Sequence, residues 1–204
     1  TGLVPVLLSH IYASNGMPHQ RVCFTIHNFR HQGAAGEELL RATGLGWPEY
    51  FFRYQQLRDN HNSFALNLTK GGIVYSNFVT TVSPQHAWEA RFTDQGFGLG
   101  HTLYLHQNKF GGILNGIDYD VWNPEVDQFI PHRYSSETME DKYKDKESLR
   151  ERLWLVKGFK PIVAFVGRLD QQKGLDLIIH AAHYCVHNGC QFVLLGSASN
   201  ESIN

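Results

Sequence analysis

PIVAFVGRLDQQKG, residues 161–174, is the stretch from which the fold is read. An apolar β-type run ends at Gly167, a polar loop carries Arg168 and Lys173, and a helical pattern starts at Gly174 or Leu175. Leu175, Ile178, Ile179, Ala182, Cys185 and Val186 fall on one face of that helix. A second apolar run, QFVLLG at 191–196, follows. The order strand, helix, strand predicts a βαβ unit. Its loop sets two cations beside a helix N-terminus, which already carries positive partial charge and free N–H groups. An anionic ligand makes that arrangement favourable, and a phosphate or diphosphate is the natural candidate. This is not a P-loop, because Lys173 precedes Gly174 where that motif needs Gly-Lys-Ser/Thr. A solvated basic turn is the alternative that this segment alone leaves open.

Residues 21–33, RVCFTIHNFRHQG, place a strand at 22–26 immediately before His27 and Asn28. In an open α/β sheet, ligands collect at the carboxyl ends of strands. An imidazole that donates or accepts, beside an amide that does both, suits a polyhydroxylated ligand. The chain holds 12 histidines, so chance alone puts some of them at strand ends. A third segment, FGGILNGIDYDVWNP at 110–124, reads as a short strand with two glycines, then the turn signal Asn115-Gly116. Alone it could be a hairpin turn.

Taken together and in this order, the segments are specific. The chain resembles the starch and glycogen synthases, the glycosyltransferases that extend α-1,4-glucans from ADP-glucose. The resemblance rests on TGLVPVLL at 1–8, TIHNFRHQG at 25–33, KGGIVYSNFVTTVSP at 70–84, GGILNGIDYDVWNP at 111–124 and GRLDQQKGLDLI at 167–178. It covers essentially the whole chain and looks closest to cyanobacterial and plastid members. It implies a two-domain GT-B type α/β fold, with two doubly wound Rossmann-like domains facing a cleft. Two such domains need roughly 300–500 residues, so only part of the fold is expected here. The expected division is the end of the acceptor-side domain at 1–118, a linker at 119–136, and the start of the nucleotide-sugar domain at 137–204. The family's Lys-x-Gly-Gly loop would lie upstream and its glutamate loop downstream. The KGG at 70–72 is read instead as part of a helix over 62–75.

The resemblance also implies roles. Glucose leaves ADP for the non-reducing 4-OH of a glucan, with retention at the anomeric carbon. Arg168 and Lys173 would absorb the charge that builds on the diphosphate. His27 would line the glucose pocket as the third catalytic position. Asn28 is expected on the acceptor side, and Asn115 on sugar hydroxyls. No metal and no cofactor is expected; ADP-glucose and the α-1,4-glucan are the small-molecule and polymer partners. The location implied is the plastid for a plant or algal protein and the cytoplasm for a bacterial one. Two alternatives stay open: a GT-B enzyme using another nucleotide sugar, and a catalytically silent glucan-binding homologue.

Composition agrees with a globular α/β protein, at 42% hydrophobic and 18% charged residues. The net charge of −1 gives no basic footprint for nucleic acid. No apolar run approaches the 18 residues of a membrane span. Three cysteines without CxxC spacing suit a reducing compartment. Elsewhere the patterns predict helices at 2–13, 36–43 and 84–92, the last capped by Ser83-Pro84, and a strand at 78–82. GFGLG at 96–100 lacks a leading strand and reads as loop. Trp47, Tyr50, Phe51, Phe52 and Tyr54 read as core material. Leu149, Leu153 and Leu155 are expected to form the apolar side of a charged helix that starts near 139.

Overall fold

The computed structural model describes residues 1–18 and 20–198. The chain divides into two compact units, Thr1–Gly116 and Ile117–Asn204.

The first unit opens with helix α1, Leu3–Leu7, continued by a π-helical turn over Leu8–Tyr12. Strand β1 is Cys23–Ile26, and β2 is Ala34–Ala35. Helices α2 (Glu38–Ala42) and α3 (Pro48–Phe51) are short. Then come β3 (Leu66–Asn67), α4 (Leu68–Tyr75), β4 (Phe78–Thr81), α5 (Pro84–Phe92), α6 (Gly100–Leu105) and β5 (Phe110–Gly112). Strands β1, β4 and β5 form a parallel sheet in that order, with Cys23 opposite Phe78 and Val79 opposite Phe110. Among the described residues no strand after Asn115-Gly116 pairs back on β5, so no hairpin forms there. One apolar cluster joins Ile26, Val79 and Phe110 of the sheet to Ile73, Ala87, Ala90 and Leu103 of the helices. A second gathers Val6, Leu40, Leu45, Phe51, Leu57 and Leu66, with Tyr50 and Phe52 against it.

The cap at Ser83 is as expected: its Oγ accepts the His86 N–H at 2.9 Å, and Pro84 opens α5. The helix expected over 62–75 begins only at Leu68. Polar side chains capture the preceding backbone: Asp59 Oδ1 accepts the His61 and Asn62 N–H groups, and Asn62 Oδ1 accepts that of Phe64. Asn67 then caps α4 by accepting the Lys70 N–H at 2.9 Å. Such local bonds compete with helix formation. The KGG lies inside α4, as expected, although the two-residue β3, which pairs antiparallel with β2, comes just before that helix. Gly100 begins a helix instead of closing a loop. Trp47 departs from the core reading: it is 75% exposed, with φ of +58°.

The second unit contains α7 (Lys142–Arg152), β6 (Ile162–Val166), α8 (Leu175–His187) and β7 (Gln191–Leu195). β6 and β7 pair in parallel, Ile162 opposite Gln191, so the βαβ unit is present. The leucine stripe expected on α7 is absent; the residue it buries is Arg150, while Leu149 and Leu153 stay partly exposed. The reason is a set of acceptors. Arg150 donates to Gln191 Oε1 at 3.0 Å, to the Lys160 carbonyl and to Glu147. Along α8 only Ile178 and Cys185 of the expected face are buried; Ile179 and Val186 are exposed.

Candidate active site

In the first unit, three parallel strands end along one edge. β1 delivers His27 and Asn28, β4 leads to Ser83, and β5 leads through Ile113 and Leu114 to Asn115. The edge is tied together by hydrogen bonds. Thr81 Oγ1 donates to the Ile26 carbonyl at 2.9 Å, fixing the end of β1 just before His27. The Ile113 N–H donates to the Thr81 carbonyl at 2.8 Å. Inside the sheet the Thr25 and Thr80 hydroxyls meet at 2.8 Å. His27 and Asn115 are exposed, and Asn28 is half-buried. Asn28 Oδ1 accepts the Arg30 N–H at 2.9 Å, which starts a tight turn. Its amide N–H₂ and the His27 ring make no hydrogen bond among the described residues. Both therefore remain free to meet a polyol.

In the second unit, Arg168 and Lys173 lie in the loop between β6 and α8, and both are exposed. The loop is held against the end of β7: the Gly167 N–H donates to the Leu195 carbonyl and the Leu169 N–H to that of Ser197, both at 3.0 Å. Gly174 takes φ of +72°, a left-handed conformation that glycine adopts without strain, and so turns the chain into α8. Asp170 was not singled out in the sequence. It caps the loop by accepting the Lys173 backbone N–H at 3.1 Å, and it faces the Arg168 guanidinium at 3.4 Å. An exposed pair of this kind is weak. It aims the arginine without consuming its charge.

A buried lysine is the other feature that sequence reading missed. Lys70, in the first turn of α4, is 1% exposed. Its Nζ donates to the Arg58 carbonyl at 2.8 Å and to Asn60 Oδ1 at 2.7 Å, and it lies over the Tyr54 ring. Asn60 in turn donates to the Gly98 carbonyl, while Asn67 links Gln32 to Asp59. Burial and the Arg58 cation lower the Lys70 pKa to about 8, against the pull of Asp59. Lys70→Met is expected to destabilise the protein by about 2–4 kcal/mol, because two buried acceptors lose their donor. Between about pH 8 and pH 10 the unfolded chain keeps this amine protonated while the folded chain releases it. Stability therefore rises with pH across that window in the wild type and less steeply in the variant, which keeps only the contribution of Lys109, whose pKa burial also lowers. Urea unfolding at a series of pH values measures both; equal midpoints at every pH would show that the lysine carries no structural weight.

A family model described as the starch synthase catalytic domain matches residues 1–104. The chain is 62% identical over 203 residues to glycogen synthase 1 of Synechococcus sp. strain JA-3-3Ab, covering all of this chain and 41% of that protein. It is 60% identical over 204 residues to glycogen synthase 2 of Methylococcus capsulatus, covering 42% of it. Among solved structures, the catalytic domain of starch synthase IV from Arabidopsis thaliana, bound to ADP and acarbose, matches with a TM-score of 0.94 at 40% identity. That match covers 100% of this chain and 41% of the other. The chain thus spans about two fifths of the length of these relatives.

Proposed function

This chain belongs to the family of starch synthase catalytic domains and has its GT-B type α/β fold, and on that premise we propose that the whole protein is a retaining glucosyltransferase. It moves glucose from ADP-glucose to the non-reducing 4-OH of an α-1,4-glucan. The observation that carries the reading is the loop after β6, where two exposed cations stand at the entrance to a 13-residue helix. That is chemistry for a diphosphate. Support for the sugar side comes from His27, Asn28 and Asn115, which share the carboxyl edge of the first sheet.

The roles follow from charge and hydrogen-bonding capacity. As the bond from the anomeric carbon to the diphosphate oxygen breaks, negative charge grows on the leaving group. Arg168 offers a planar fork of donors and Lys173 a compact positive charge, and both stabilise that growth. His27 lines the glucose pocket. Asn28, through its free amide N–H₂, faces the acceptor. Asn115 holds sugar hydroxyls. Protein cations neutralise the diphosphate in this scheme, so no metal takes part.

The test is elongation by the whole protein. With ADP-glucose and a maltooligosaccharide, products longer by single glucose units and one ADP per unit added are expected. EDTA is expected to leave the rate nearly unchanged. Glucan binding without any transfer would overturn the enzymatic reading. A rate abolished by EDTA and restored by Mg²⁺ would overturn the metal-free scheme.

A further inference from the structure

We propose that the groove between the turn at residues 30–34 and Phe97 seats the acceptor glucan beyond its reacting unit, with Arg30 and Phe97 setting the preference for longer chains. The inference rests on the glucosyltransferase reading above. The groove has a volume of about 850 Å³ and is lined by residues 30–34, Asp59 and Phe97. That is within the range of small-molecule sites. It starts where Asn28 ends: the Arg30 N–H is held by Asn28 Oδ1, and the His31 N–H donates to the Asn28 carbonyl. Asn28 does not itself line the groove but is bonded to the turn that does, so a polymer whose terminal unit sits at Asn28 can run on into it.

The walls suit an uncharged polyol. Arg30 is exposed and lies over the Phe97 ring, 5.0 Å from its centroid. Among the described residues its guanidinium has no carboxylate partner and makes no hydrogen bond, so five N–H donors are oriented by stacking and left unused. Asp59 and Arg30 bring opposite charges to the same groove, which disfavours an anion and leaves a neutral ligand rich in oxygens.

Phe97 supplies the second argument. It stands at φ of +46°, in the left-handed region that asparagine and glycine occupy far more readily than a bulky residue. The turn around it is already supplied with Gly96 and Gly98. The backbone gains nothing from an aromatic side chain at 97. Strain of this kind marks positions where the side chain is needed. The residue is anchored by Gln32, whose Nε2 donates to the Phe97 carbonyl at 2.8 Å. Gln32 also accepts from Asn67, the cap of α4. The Phe97 backbone is thus held by a fixed scaffold, and with Arg30 over one face the ring, 38% exposed, offers its remaining surface to a sugar.

The experiment compares maltoheptaose with maltose as acceptors for the whole protein. Arg30→Ala and Phe97→Gly are the variants. The first removes an exposed side chain; the second removes the ring while relieving the backbone. In each, the ratio of kcat/KM for maltoheptaose to that for maltose is expected to fall about 5- to 30-fold, the range for losing one stacking or hydrogen-bonding contact. Phe97→Trp is expected to keep the ratio. A ratio within two-fold of wild type in both variants overturns the proposal. Maltoheptaose affinity is measured in parallel by calorimetry, without donor. If the wild type transfers no glucose, the functional reading falls, while weakened maltoheptaose binding by the variants still supports the groove and unchanged binding overturns it.

Discussion

Arg168→Ala and Lys173→Ala, each in the whole protein, are expected on the proposed function to lose about one and a half to nearly four decades in kcat/KM for ADP-glucose. The figure follows from the cost of truncating one partner of a charge pair that bound donor and glucan shield from water, about 2–5 kcal/mol, at 1.36 kcal/mol per decade. Neither change should disturb the fold. Both side chains are exposed, and among the described residues the only ion pair at stake is the 3.4 Å contact between Arg168 and Asp170. An exposed pair contributes little to stability. Arg168→Lys should still lose much of the rate, since a point charge does not reproduce a planar fork. Glucan affinity, measured separately, should stay within a few-fold, because the glucan contacts proposed above belong to the first unit. Near-normal donor kinetics in both alanine variants would reduce the loop to a basic surface turn.

Asp170 refines the expectation drawn from sequence. Read as PIVAFVGRLDQQKG, the loop shows two cations facing a helix that repels them. In the structure an acid between them caps the turn and faces the arginine. The cations are thus tolerated before any ligand arrives. The segment was legible because its signals are local: a strand period, a helix period and a glycine where φ turns positive. The cap at Ser83-Pro84 was legible for the same reason.

What escaped the sequence depends on partners distant along the chain. Nothing in the pattern of residues 142–152 shows that Arg150 has acceptors at Lys160 and Gln191, so the helix was expected to bury leucine. Nothing near Lys70 shows that Arg58 and Asn60 wait to receive its amine. The helical start at Leu68 was hidden for a different reason. Asp59, Asn62 and Asn67 each bind nearby N–H groups, and that competition weakens a periodic signal running through 62–75. The groove joins residues 30–34 to Phe97, which only the folded sheet brings together. Of the sugar-side residues, His27 and Asn28 were visible from strand-end logic, whereas Asn115 needed the family resemblance, because Asn-Gly by itself reads as a turn.

Gly112→Ala is expected to be the most damaging single methyl in the first unit. A Cβ at Gly112 would fall inside the van der Waals shell of the Ser83 carbonyl and of Pro84 N. All of those atoms are backbone, so no rotamer change makes room. Ser83 cannot withdraw cheaply either. Its Oγ caps α5, and its carbonyl accepts the Ala87 N–H at 3.0 Å. Either the end of β5 or the first turn of α5 must move, at a cost of about 3 kcal/mol, the upper part of the range for overpacking. The adjacent Gly111 is the internal control. A Cβ there meets only the Phe78 ring, at 3.6 Å, an ordinary contact. Gly111→Ala should therefore unfold near the wild-type temperature while Gly112→Ala unfolds well below it. The displacement also reaches function. Asn115 follows β5 by three residues, and positioning errors near 1 Å cost about two decades in rate. Gly112→Ala should accordingly lose activity even at temperatures where it remains folded. Equal melting temperatures for the two alanine variants would mean that the carboxyl edge of the sheet is looser than its hydrogen bonds indicate, and that Asn115 is not held by this contact.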